Sequence, residues 1–253
     1  MNSLLETSGL TKRFGGLTVM HDLDFRIGEG EIKGFLGPNG AGKSTFFNLI
    51  TGVHTPSSGH IFYAGREITK SKPHQVAAMG IGRTFQLNPL FGDFTVAENI
   101  ATAYHLRPHS TVAQAFFGTK TYHENEKYIA ESTDEIIEFL GLGHVRNELA
   151  KNLPHGYQKI LGVARALATK PKLLLLDEPL GGMNPEEIAF SIQAIAKMRD
   201  KGITVLVVEH NMQILEILDS VTVISFGEKI FEGTPEGMRS DPTVISTYFG
   251  GAV

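Results

Sequence analysis

The 253-residue chain is 42% hydrophobic and 20% charged, which excludes a disordered polypeptide and gives enough length to bury a core without staples. Lys and Arg number 23 against 27 Asp and Glu, so the net charge of −4 argues against a dedicated nucleic-acid binder, and the absence of cysteine excludes disulfides and thiolate metal sites. The longest stretch without Asp, Glu, Lys or Arg, Ser44 to Gly65, is broken by Gly52, Pro56 and Gly59, and the start lacks a basic region followed by an apolar run, so neither a membrane helix nor a secretory signal is expected.

In chain order, residues 3–27 and 59–68 have β-like segments punctuated by Gly15-Gly16, Ser57-Ser58-Gly59 and Ala64-Gly65, which predicts a small antiparallel layer. Glu31 to Leu36 reads as a short strand, a glycine-rich loop follows, and Ser44 to Thr51 reads as a helix. From Thr95 to Ala168 the pattern is mostly helical. Ile129, Thr133, Ile136, Ile137 and Leu140 share one helical face, while Arg107 to Gly118 is poorly periodic and reads as a loop or insertion. Lys172 to Leu176 and Ile203 to Val208 are continuously apolar, as parallel strands are when both faces of their sheet are covered. Val221 to Ser225 and Lys229 to Phe231 flank Phe226-Gly227-Glu228 as a hairpin. The alternation predicts an α/β fold with a β layer at the front and a helical insert in the middle.

Two motifs carry chemistry. Gly37-Pro38-Asn39-Gly40-Ala41-Gly42-Lys43-Ser44-Thr45 matches the phosphate-loop pattern G-x-x-x-x-G-K-[ST] between a predicted strand and a predicted helix. Glycines let backbone N–H groups turn toward phosphate oxygens, and the helix N-terminus adds partial positive charge. Lys43 can reach the β- and γ-phosphates, and the Ser44 hydroxyl can ligate Mg²⁺. Leu173-Leu174-Leu175-Leu176-Asp177-Glu178 then places two carboxylates at the carboxyl end of a buried strand, where ligands of open α/β sheets bind. Asp177 can hold Mg²⁺ through its water shell. Glu178, on the opposite strand face if side chains alternate, can accept a proton from an attacking water.

With these motifs, the chain resembles the nucleotide-binding subunit of ATP-binding cassette (ABC) transporters from Leu10 to about Gly250. Gly37 to Thr45 looks like Walker A and Leu173 to Glu178 like Walker B. Gln86, in Arg83-Thr84-Phe85-Gln86, matches the Q-loop glutamine, and His210, in Val208-Glu209-His210-Asn211, matches the switch histidine. Leu153-Pro154-His155-Gly156-Tyr157-Gln158 occupies the signature position, and Leu180-Gly181-Gly182-Met183-Asn184 sits where the D-loop belongs. The resemblance implies a single P-loop NTPase (ABC ATPase) domain over 1–253. Its parts are a β-rich front layer at about 3–70, a P-loop core at about 31–86 and 165–253, and a helical subdomain at about 87–165. It further implies that Phe14 stacks on adenine, that Gln86 senses the γ-phosphate or Mg²⁺, that His210 contacts the γ-phosphate, and that His155 and Gly156 meet the ATP of an opposite subunit.

The signature departs from Leu-Ser-Gly-Gly-Gln. Pro154 replaces the serine and has neither hydroxyl nor N–H, His155 and Tyr157 replace a glycine and a glutamine, and Asn184 stands for the usual D-loop aspartate. Two readings stand: a weakened half-site, or a variant in which His155 and a helix N-terminus supply the anion contact.

The opening Leu-Thr-Lys-Arg-Phe-Gly-Gly-Leu, the insertion around Tyr104 to Tyr128 and the C-terminal Glu232-Gly233-Thr234-Pro235 and Tyr248-Phe249-Gly250 are similar to the LivG-type ATPases of branched-chain and hydrophobic amino acid importers. That similarity implies ATP and Mg²⁺ as cofactors and two transmembrane permease subunits as partners. It also implies a second ATPase subunit, either an identical copy or a LivF-like paralogue, and indirectly a periplasmic solute-binding protein. The place implied is cytoplasmic, peripheral on the inner face of the membrane. Leu90, Phe91 and Phe94 read either as a docking groove for a permease helix or as core. Alternatives of function are an ATPase of another ABC system, such as an envelope-lipid exporter, and a weakly hydrolysing partner subunit. A nucleic-acid ATPase of the same superfamily is disfavoured by the length and by the net charge.

Overall fold

The structure, a computed structural model, describes residues 3–84, 90–104, 117 and 119–249. Two compact units emerge from it. One is built from Met1–Arg83, Lys172–Gly181 and Ile195–Val253, the other from Thr84–Pro171 with Gly182–Ala194.

In the first unit, β1 (Ser3–Phe14) and β2 (Leu17–Gly28) form an antiparallel hairpin. The turn between them needs the left-handed backbone that Gly15 adopts at φ 57°. Then come β3 (Ile32–Leu36), α1 (Lys43–Ile50), β4 (Ser58–Tyr63), β5 (Arg66–Glu67), α2 (Pro73–Ala78) and β6 (Ile81–Arg83). The second unit contributes α3 (Val96–Tyr104), α4 (Lys120–Phe139) and α5 (His155–Ala168). After them run β7 (Leu173–Asp177), α6 (Pro185–Asp200), β8 (Thr204–Glu209), β9 (Ser220–Ser225), β10 (Glu228–Gly233), α7 (Pro235–Ser240) and α8 (Pro242–Phe249).

The strands make two sheets. The front sheet is antiparallel in the order β2-β1-β4-β5. The second sheet has the order β10-β9-β3-β8-β7-β6 and is parallel except for the β9–β10 hairpin. Every residue of β3, β7 and β8 is buried, which is why their sequences are mainly apolar runs rather than alternating, with the polar exceptions Lys33, Asp177, Thr204 and Glu209. Helix α1 contributes Phe46 and Phe47 to the core these sheets share. Phe35 of β3 stacks on Phe46 at 4.2 Å between centroids, and Phe25 of β2 meets both rings edge-on at 5.7 and 5.0 Å. Burying each such ring contributes about 1.5–3 kcal/mol, so the helix that follows the glycine loop is anchored by its own aromatic pair.

The second unit has its own apolar interior. Ile129, Thr133, Ile137 and Leu140 are buried, as the helical periodicity predicts, and Ile136 is half-buried. Most of 107–118 lies outside the described residues. Among the described residues no helix is long and apolar enough to cross a membrane.

Candidate functional site

The loop between β3 and α1 is shaped by what it packs on. A Cβ at Gly37 would come within 2.5 Å of the Ile224 carbonyl oxygen, and one at Gly42 within 2.9 Å of that of Val19. Gly40 and Gly42 also need positive φ, 80° and 106°. The loop therefore curls tightly around the head of Lys43, whose Nζ donates to the Gly37 carbonyl at 2.7 Å and to the Pro38 carbonyl at 3.0 Å. Lys43 is 7% exposed. Burial draws its pKa below the ordinary lysine value, opposed by the fields of Glu178, Asp177 and Glu209, which lie at or just beyond the ends of β7 and β8.

Gly42 caps α1 without a side-chain hydrogen bond, and the first turn holds no acidic residue. The N–H groups that every helix leaves over at its start are thus not taken by a cap, and they add to the partial positive charge of the helix terminus. Ammonium, glycine-rich backbone and free helix start together make a seat for a polyphosphate.

Asp177 closes β7 and is buried. Its Oδ2 is 3.0 Å from Nη2 of Arg83, at the end of β6, and Arg83 Nη1 donates to Asn48 Oδ1 of α1 at 2.7 Å. Arg83 is a residue to which sequence reasoning gave no role. Its significance lies in bringing the Walker B strand and the phosphate-loop helix onto one guanidinium. Glu178 corrects an expectation. The strand ends at Asp177, and Glu178 has φ 48°, so strand alternation does not set its direction. A left-handed backbone aims it instead, held by its N–H on the Val208 carbonyl at 2.9 Å. Such a conformation is costly for a residue with a Cβ, and strain of this kind concentrates at functional positions.

His210 follows β8 directly and exposes 57% of its side chain. Below it lies Glu209, fully buried and also absent from the candidates drawn from sequence. Phe14 ends β1 with 43% of its surface exposed, its ring edge-on to His54 at 5.3 Å and with Lys12 Nζ 4.9 Å from its centroid. Gln86 lies outside the described residues.

In the second unit, Pro154 caps α5 and His155 is exposed at its first position. The Gly156 N–H is directed to Glu187 Oε1 at 3.2 Å, and a Cβ at Gly156 would stand 2.5 Å from Glu187 Cδ, so glycine is needed for the approach. Glu187 also forms a reciprocal cap with Asn184. The Asn184 N–H donates to Glu187 Oε2 and the Glu187 N–H to Asn184 Oδ1, both at 2.9 Å. Tyr157 packs between His144 and Phe190, with centroids at 5.3 and 5.9 Å. A cavity of about 250 Å³ lies beside these residues, lined by Pro154, Gly156, Tyr157, Asn184, Glu187 and Phe190 among others.

Phe91 and Phe94 are 48% and 42% exposed and stack on each other at 5.2 Å, so they belong to the surface and not to the core. Buried Asn99 holds their loop. It accepts from the Phe91 N–H and donates to the carbonyls of Phe91, Phe94 and Thr95.

These features have counterparts among known proteins. Residues 20–181 match the family model described as ABC transporter. The chain is 38% identical to the high-affinity branched-chain amino acid transport ATP-binding protein BraF of Pseudomonas aeruginosa, over 98% of each chain. It is 36% identical to the LivG protein of the same description from Escherichia coli K12, again over 98% of each. A solved ATP-binding cassette of an ABC transporter in its ADP conformation superposes with a TM-score of 0.83 at 31% identity, covering 99% of this chain and all of that one. The chain belongs to the ABC transporter family, as an ATP-binding and ATP-hydrolysing cassette.

Proposed function

We propose that this chain powers an importer of branched-chain or related amino acids, hydrolysing ATP on the face formed by the β3–α1 loop and the ends of β7 and β8. The observation that supports the catalytic part is Arg83, which ties Asp177 at the end of β7 to Asn48 of α1, the helix whose start carries the buried Lys43 ammonium. The solute class rests on the full-length likeness to BraF and LivG.

When ATP enters, Lys43 exchanges the carbonyls of Gly37 and Pro38 for β- and γ-phosphate oxygens, and the backbone of Gly40 to Thr45 takes the remaining charge. Phe14 offers its exposed ring to adenine. Ser44 in the first turn of α1 and Asp177 at the end of β7 offer hydroxyl and carboxylate oxygens, the donor chemistry that a hard divalent cation takes. Mg²⁺, when bound with ATP, would take the Ser44 hydroxyl and, through water, Asp177, and would neutralise phosphate charge. Glu178 orients the attacking water and accepts its proton, while His210 hydrogen-bonds the γ-phosphate. His155 and the start of α5 from a second ATPase subunit, identical or LivF-like, complete the site. The exposed Phe91–Phe94 pair receives a permease helix, which sets the chain on the inner face of the membrane.

A second reading, a weakly hydrolysing partner subunit, draws on the Gly156 N–H being already engaged by Glu187. Uptake separates the two. In cells whose only copy of this subunit is Lys43→Ala, accumulation of labelled leucine, isoleucine and valine should fall to background. Uptake at the unaltered rate would show that another subunit supplies the power, and normal uptake of these solutes without the chain would remove the assignment of solute.

A further inference from the structure

We propose that Glu209 is a positioning residue for hydrolysis, a carboxylate clamp that joins the loop bearing Glu178 to the loop bearing His210. It rests on the roles given above to those two residues.

Glu209 closes β8 with its side chain wholly buried. Its Oε1 accepts the N–H of Leu180 at 2.7 Å, and its Oε2 accepts the N–H groups of His210 at 2.8 Å and Asn211 at 2.9 Å. Leu180 is two residues beyond Glu178 and 1% exposed. The loop after β7 is therefore fixed to the end of β8 twice, by Glu178 N–H on the Val208 carbonyl and by Leu180 N–H on Glu209. The same carboxylate sets the backbone from which the exposed His210 ring projects. A buried charge is costly unless it is fully satisfied, and three N–H groups aimed at two oxygens satisfy it. An apolar strand such as β8 could end on an uncharged residue. A carboxylate with both oxygens engaged is what serves two loops at once. Gln would present one acceptor and one NH₂ group to three donors, and Asp, one methylene shorter, keeps the charge but does not span both loops.

The test uses the full-length chain assembled with its permeases, with ATP turnover, the affinity of a fluorescent ATP analogue and the melting temperature read together. Glu209→Gln should lower kcat about 10- to 100-fold with KM for ATP changed less than about two-fold, as expected when reacting groups are misplaced and binding is intact. Glu209→Asp should retain the fold and nucleotide affinity and still lose kcat. Introduced into a His210→Ala background, Glu209→Gln should add less than about three-fold, because both changes act on one arrangement. Unchanged kcat in Glu209→Gln overturns the proposal. So does a loss that multiplies fully with His210→Ala, or loss of nucleotide binding in both Glu209 variants, either of which marks a purely structural residue. If Glu178→Gln and His210→Ala themselves turn over normally, the site reading fails. If they do not and Glu209→Gln does, only the clamp fails.

Discussion

Arg83 illustrates what a single side chain does in this site. Its guanidinium is buried together with Asp177, donates to Asn48, and has its centre 5.4 Å from the Phe47 ring centroid. A planar fork can serve an aspartate and an asparagine at once, which an ammonium cannot do in the same geometry. Replacing Arg83 by Met removes one partner of a buried ion pair, and a loss on the order of 3 kcal/mol in unfolding free energy follows. Arg83→Lys should recover little of it. Denaturant melts of the three proteins check this, and a Lys variant as stable as the parent would show that geometry is unimportant here. The residues legible in the sequence were those whose meaning lies in a local pattern. Gly37 to Thr45 carries its turn, helix start and cation within nine positions, so its chemistry can be read without the fold. Arg83 and Glu209 act on partners 94 and 29 residues away, and the pattern around each is silent about them. Glu178 was legible as a residue but not in its direction, because a strand boundary and a left-handed φ replaced the alternation a longer strand would have imposed.

At the level of elements, the continuous apolar runs announced β7 and β8 because both faces of a central parallel strand are covered. The helical periodicity of 129–140 likewise announced the buried face of α4. What the periodicity could not show is how the start of α6 serves the start of α5. Asn184 and Glu187 form a capping box, and the same Glu187 reaches Gly156. Asn184 in place of the usual aspartate thus keeps the helix cap intact, since Asn and Asp cap helices about equally. Asn184→Asp should leave the melting temperature and ATP turnover close to the parent. Glu187→Ala should cost about 1 kcal/mol as a lost cap, lowering the melting temperature by about 2–4 °C in a chain of this size. Differential scanning calorimetry measures both. A several-fold gain in turnover for Asn184→Asp would favour the weakened half-site over the variant signature.

For the whole molecule, the full-length likeness to ATP-binding proteins of transporters makes the chain a cassette of the ABC transporter family, and on the proposed function the channel it drives is built by other chains. Phe91 and Phe94 lie outside the core, with Asn99 bonded to the carbonyls of their loop, and theirs is the surface proposed to receive a permease helix. The sequence left groove and core equally open at this point, because exposure depends on which helices cover the loop, and that is a property of the fold. On the proposed mechanism ATP is cleaved at the ends of β7 and β8, and the residue proposed to activate water should also limit solute movement. The decisive measurement is therefore ATP turnover, nucleotide retention and branched-chain amino acid uptake in the assembled transporter with Glu178→Gln in this chain. Loss of the proposed general base should lower hydrolysis and uptake about 10²- to 10⁴-fold while ATP stays bound at near-parental affinity. Hydrolysis at the parental rate in that variant would contradict the role of Glu178 and, with it, the proposed mechanism.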